Sequence, residues 1–202
     1  MGIHAIVFDF DGTLIDSNQL KHDAYFGLFP PDDRHTRIIR AVLSEIFEQS
    51  RYVILEEIFR RLGLREEATL REKVRELAKC YNQMVVAGAK TCPEKGGAEE
   101  ALKKFAPTYG LYVSSTTPDA SLKEILQFRN WDSYFRAVFG YPHEKSETLQ
   151  RIVALERVKS AQVLVVGDGE SDRKSAVDNG CPFLRVTEQF HFEDLERAVK
   201  GL

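Results

Sequence analysis

Residues 3–14 read Ile-His-Ala-Ile-Val-Phe-Asp-Phe-Asp-Gly-Thr-Leu. Ile3 to Phe8 is a short apolar run rich in β-branched residues that ends on a charge, the pattern of a buried strand. Directly beyond it Asp9 and Asp11 stand two residues apart on a segment that turns at Gly12, so both carboxylates can face one point in front of the strand end. A simple Asp/Gly turn following a strand is the alternative.

Further along the chain similar runs recur at Leu111–Val113, Ala137–Phe139, Val163–Val166 and Phe183–Val186. Between the last four lie stretches with helical apolar spacing, such as Leu122, Ile125, Leu126 and Leu149, Ile152, Val153. Strands alternating with helices predict an α/β fold, a parallel sheet with helices on both faces.

About a hundred residues separate the first two strands, far more than a crossover needs, so an insert is expected there. Ile38, Ile39, Val42, Leu43, Ile46 and Phe47 follow a 3.6-residue period; so do Val53–Leu55 with Ile58, Phe59 and Leu62, and Leu70 with Val74, Leu77, Tyr81 and Val85. Breaks fall at Pro30-Pro31-Asp32-Asp33 and Leu62-Gly63-Leu64, with Asp33 expected to cap a helix and Gly63 to stop one. The expected organisation is an α/β core of residues 1–15 and 91–202 and a helical bundle of residues 16–90.

Composition narrows the function. The chain has 202 residues, 43% hydrophobic and 29% charged, with 28 Lys and Arg against 31 Asp and Glu. A net charge of −3 argues against a nucleic-acid binder, which would carry a basic excess. Cys80, Cys92 and Cys181 are an odd, scattered set that suggests neither a disulfide framework nor a zinc site. No signal peptide and no run of 18 apolar residues is visible, so a cytoplasmic protein without membrane contact is expected. Whether it is a monomer or a dimer stays open.

A second acidic segment follows the fourth strand: Gly167-Asp168-Gly169-Glu170-Ser171-Asp172. Carboxylates gathered at one sheet edge repel unless a cation sits among them, and an all-oxygen set suits a hard divalent ion, most simply Mg²⁺. Capping of the next helix is the competing reading of Asp168 and Asp172. Ser114-Ser115-Thr116-Thr117, just before a helix start at Pro118, offers hydroxyls and amides to a phosphate. Lys145 opens a helix after the third strand and could neutralise the acids. Ligands of open α/β sheets bind beyond the carboxyl ends of the strands, where these four segments converge.

In this order the four segments resemble those of the haloacid dehalogenase-like superfamily of phosphohydrolases and phosphotransferases, with its Rossmann-like core and, from the position of the insert, a C1-type helical cap. The resemblance implies that Asp9 is the nucleophile forming an aspartyl-phosphate and Asp11 the general acid/base. It further implies Mg²⁺ held by Asp9, Asp168 and the Asp11 carbonyl, and phosphoryl oxygens held by Ser115 (Ser114 in the competing register), the Thr116 amide and Lys145. Asp172 would then lie in the outer shell of the metal or on Lys145. Asp11 argues against the dehalogenase and phosphonatase branches, which lack it. A small-molecule phosphomonoester phosphatase of the phosphoglycolate phosphatase and β-phosphoglucomutase-like branch is the expectation. A sugar phosphomutase and a non-catalytic binding module of the same fold are the alternatives. Gln49-Ser50-Arg51-Tyr52 is similar to the segment by which mutase caps hold a distal phosphate, which makes Arg51 a candidate substrate contact. Asp16 and Ser17 are expected to fix the hinge rather than to do chemistry. A phosphoacceptor receiver domain would place its lysine after its other elements, and no Walker-type phosphate loop occurs.

Overall fold

The structure is a computed structural model that describes residues 2–47 and 49–201. The chain divides into two compact units, a helical one spanning Asn18–Thr91 and an α/β one made of the residues up to Ser17 and from Cys92 onward. In chain order the elements are β1 (Ala5–Phe8), α1 (Asn18–Gly27), α2 (Asp33–Ile46), α3 (Arg51–Arg61), α4 (Glu67–Thr91), α5 (Ala98–Phe105), β2 (Gly110–Pro118), α6 (Asp119–Phe128), β3 (Ala137–Tyr141), α7 (Lys145–Glu156), β4 (Val163–Gly167), α8 (Glu170–Asn179), β5 (Phe183–Arg185) and α9 (Phe192–Gly201). Among the described residues no helix is long and apolar enough to cross a membrane.

All five strands are parallel in the order β3-β2-β1-β4-β5, the α/β sheet expected from the sequence. Phe8 pairs with Val113 on one side and Val166 on the other, so β1, β2 and β4 are level where their chemistry-bearing residues begin. Ala5, Val7, Tyr112, Val163 and Val165 project from one face onto Leu149 and Ile152 of α7 and Ala176 of α8. Phe8, of opposite parity, meets the Phe192 ring of α9 at 6.4 Å on the other face. β1 is buried along its whole length, which explains why its sequence is a continuous apolar run rather than an alternation.

β2 is longer than the Leu111–Val113 run predicts, continuing through Ser114–Thr117 to Pro118. Between Ser114, opposite Phe139, and Pro118, opposite Tyr141, its pairing with β3 shifts. A bulge of this kind lets hydroxyl-bearing residues stay in the strand while some of them turn toward the sheet edge.

The helical unit has its own core. Ile39, Val42 and Leu43 of α2, Ile54, Leu55 and Ile58 of α3, and Leu70, Val74, Ala78, Tyr81 and Val85 of α4 are buried together. Each such aliphatic side chain, when fully buried, contributes roughly 1.5–3 kcal/mol. The Tyr25 ring of α1 packs 4.5 Å from that of Tyr81. The cap of α2 is Asp32, not Asp33: the Asp32 carboxylate accepts the His35 N–H at 2.9 Å, while Asp33 is already the first helical residue. Only the extended backbone of Asp32, φ −110° and ψ 164°, aims a side chain at the free amides. Gly63 follows α3 with φ +99°, the left-handed stop expected there.

Candidate active site

Strand pairing carries Asp9 to the sheet edge. Its N–H donates to the Val166 carbonyl at 2.9 Å, one step beyond the last residue of β1. The chain then turns tightly: Gly12 has φ +74°, and its N–H donates to the Ile15 carbonyl at 2.8 Å. Phe10, Leu14 and Ile15 are fully buried and anchor this loop, which leaves the Asp9 and Asp11 side chains at fixed, largely buried positions.

Lys145 reaches this loop from the first turn of α7. Its ammonium lies 3.0 Å from Asp9 Oδ1 and 2.5 Å from Asp172 Oδ1. The second oxygen of Asp172 accepts the Gly169 N–H at 3.2 Å, so this residue caps α8 and pairs with the lysine at once. Both sequence readings of Asp172 are therefore physically present. Gly167 makes this possible: a Cβ there would sit 2.4 Å from Asp172 Cγ. Asp168 follows on β4, with the Thr13 hydroxyl 3.4 Å from its Oδ1. Carboxylate oxygens of Asp9, Asp168 and Asp172 lie within 4.8 Å of one another.

The electrostatics of this group are unbalanced. Burial pushes the Asp9 carboxyl above its ordinary range; Lys145 opposes that, and Asp172, Asp168 and Asp11 reinforce it. Asp172 is likewise pushed up, chiefly by burial. Burial alone would lower the Lys145 pKa, but the two carboxylates beside it outweigh that and keep it an ammonium. One lysine thus pairs with two acids while a third, Asp168, stands beside them, and a further positive charge there would be strongly favoured. The donors are all carboxylate oxygens, which fits Mg²⁺ and not a soft thiophilic metal.

Asp11 is turned elsewhere. Its Oδ1 accepts the Ser17 hydroxyl and its Oδ2 the Thr117 hydroxyl, both at 2.7 Å. Ser17 and Thr117 are themselves buried. Neither residue stands out in the sequence as a partner of Asp11, and Ser17 reads there as a hinge residue. One signal was available for Thr117: strand alternation sets it on the same side as Ser115, two residues earlier. Ser115 is buried and its Oγ accepts the Thr117 N–H at 3.1 Å, whereas the Thr116 side chain is exposed. Ser114, the competing residue, is also buried, and its hydroxyl has no hydrogen-bond partner among the described residues.

Arg51 belongs to the helical unit. It begins α3, donates from Nη1 to Asn82 Oδ1 at 2.8 Å, and holds its guanidinium 5.7 Å from the centre of the Tyr81 ring.

Comparison with known proteins adds the following. A family model described as haloacid dehalogenase-like hydrolase matches residues 6–186. A phosphoglycolate phosphatase from Synechococcus elongatus is 28% identical over 208 residues, covering 98% of this chain and 89% of that protein. Another, from Psychrobacter arcticus, is 25% identical over 177 residues, covering 83% and 76%. Among solved structures, a haloacid dehalogenase-like family hydrolase from Streptococcus pneumoniae superposes with a TM-score of 0.67 at 23% identity, over 96% of this chain and 90% of that one. This last likeness is one of fold.

Proposed function

The chain belongs to the haloacid dehalogenase-like hydrolase family, and on that premise we propose that it is a Mg²⁺-dependent phosphatase of small phosphomonoesters that works through an aspartyl-phosphate on Asp9. The observation that carries this reading is the buried cluster in which Lys145 bridges Asp9 and Asp172 beside Asp168. A structural ion pair does not need three acids for one base, whereas a phosphoryl-transfer site needs a carboxylate nucleophile together with cationic partners for a phosphate.

In the proposed reaction an Asp9 oxygen bonds to phosphorus as the bond from phosphorus to the leaving oxygen breaks. Asp11 gives its proton to that oxygen, and the alcohol departs. The Asp11 carboxylate then takes a proton from water as the water oxygen attacks phosphorus, the bond to Asp9 breaks, and inorganic phosphate is released. Ser115, the Thr116 N–H and Lys145 hold the phosphoryl oxygens while charge builds on them. Asp9, Asp168 and the Asp11 carbonyl would hold Mg²⁺, with Asp172 supporting from Lys145; a bound dication supplies the charge that lets one anion approach another.

Two relatives named phosphoglycolate phosphatase make 2-phosphoglycolate the first substrate to test. The experiment is release of inorganic phosphate from 2-phosphoglycolate, a panel of phosphorylated metabolites and an aryl phosphate, in Mg²⁺ and in chelator. Mg²⁺-dependent release is expected. Isomerisation of β-glucose 1-phosphate without release would replace the hydrolase with a mutase, and inactivity toward every ester would overturn both.

A further inference from the structure

We propose that Thr117 is a positioning residue that locks the acid/base to the phosphate-holding hydroxyl, an inference that rests on Asp11 and Ser115 having the roles given above. Two bonds from this single residue point the same way. Its hydroxyl donates to Asp11 Oδ2 at 2.7 Å, and its backbone N–H donates to Ser115 Oγ at 3.1 Å. The local backbone is shaped for it. From Ser114 to Pro118 β2 advances four residues while β3 advances two, from Phe139 to Tyr141, and Thr117 sits in that bulge. Bulges re-aim side chains at sheet edges and beside active sites.

A carboxylate ordinarily turns easily about its last torsion. With Ser17 on Oδ1 and Thr117 on Oδ2, both oxygens of Asp11 are held and the plane of the group is fixed. Hydroxyls suit this task because they donate to a carboxylate and accept from a carboxylic acid, so the same two partners serve both states of the cycle. An amide or ammonium partner would favour one state only. The bond from Thr117 also ties the orientation of Asp11 to the strand that carries Ser115, so proton transfer and phosphoryl placement share one rigid support.

Merely satisfying a buried hydroxyl would give the same contacts, so the test needs a readout that packing alone would not move. Thr117→Val keeps the shape and the backbone N–H but removes the hydroxyl; Thr117→Ser keeps the hydroxyl. With a nitrophenyl phosphate the leaving group needs little protonation, so faulty positioning of Asp11 slows hydrolysis of the phosphoenzyme more than its formation. The expected result for Thr117→Val is a kcat lower by roughly 10–100-fold with KM falling in step, so that kcat/KM changes little. A burst of nitrophenolate larger than that of the unmodified protein should accompany it, with phosphorylated protein visible by intact mass. Thr117→Ser should restore the rate. Ser17→Ala, which removes the other hydroxyl, should show the same burst and guards against a Thr117→Val chain that fails to fold. Unchanged turnover in Thr117→Val, or a fall in rate with no burst and no phosphorylated protein in a folded variant, would overturn the proposal. If the unmodified protein releases no phosphate from any ester in Mg²⁺, the phosphatase reading fails first and takes this inference with it.

Discussion

Where the strands begin, Glu156 at the end of α7 accepts hydrogen bonds from three neighbours. Arg136 Nη1 lies 2.6 and 2.7 Å from its two oxygens, His4 Nε2 lies 3.1 Å away, and the Tyr112 hydroxyl completes the set. Where the strands end, Asp9 and Asp172 share Lys145, with Asp168 beside them. Burial alone would raise the pKa of Glu156, but its Tyr112 and Arg136 partners outweigh that and hold it below the ordinary range. At the other edge burial wins and the Asp9 pKa goes up. The same sheet therefore carries one carboxylate whose partners outweigh its burial and, at the opposite edge, one whose burial outweighs its partners. A buried acid whose partners compensate its burial holds structure together, whereas crowded acids whose burial is not compensated store electrostatic stress that a ligand can relieve.

The contrast breaks most visibly if one acid is removed from the crowded edge. Asp9→Asn should lower phosphate release by about 10⁴-fold or more, since no other carboxylate replaces a nucleophile. It should also blunt the response to metal. Mg²⁺ at about 100 times its dissociation constant should stabilise the unmodified protein by about 2.7 kcal/mol, a melting shift of roughly 5–10 °C, and the variant by clearly less. An equal shift in both, measured by thermal unfolding with and without Mg²⁺, would remove Asp9 from the metal site.

At the satisfied edge the effect should be structural. Glu156→Ala leaves the half-exposed Arg136 to solvent and the Tyr112 hydroxyl without this acceptor, and should cost about 1–2 kcal/mol by denaturant unfolding, with the turnover of the folded fraction retained. The sign of its pH dependence follows from a lowered folded pKa. The contribution is complete above the ordinary Glu pKa and is lost as pH falls through the lower folded value, so variant and parent should converge in acid. A stability gap that persists unchanged at low pH would show that packing, not charge, is the role of Glu156.

The smallest effect is expected at Ser114. Its buried hydroxyl lacks a partner among the described residues, so Ser114→Ala should be neutral or stabilising by up to about 1 kcal/mol and leave turnover within about two-fold. A large loss of turnover would move the phosphate-holding role from Ser115 to Ser114.

Legibility in the sequence followed how local each signal was. β1 and β4 stood out because strands buried on both faces are unbroken apolar runs. α1 did not, since its ten residues bury only Ala24 and Tyr25. α5 buries Ala98, Ala101, Leu102 and Phe105, and alanines write a faint apolar stripe. Asp32 and Asp33 are chemically identical neighbours, and only backbone dihedrals decide which one caps. The paired acids after β1 are visible as a pattern, but the bonds from Ser17 and Thr117 to Asp11 are not. One partner is six residues away around a turn and the other 106 residues away on a neighbouring strand. No spacing rule encodes the second distance; sheet order creates it.

That sheet order also sets a timetable for synthesis. β1 lies between β2 and β4, and both neighbours are translated long after it, the first about a hundred residues later and the second more than 150. At roughly 5–20 residues per second, a ribosome leaves Ala5–Phe8 without a partner for about 5–20 s. All of Asn18–Thr91, which carries its own core, emerges in that interval. The helical unit is thus free to fold while the most apolar strand of the sheet is still waiting. The nascent chain is most exposed to aggregation and to chaperones just before β2 appears.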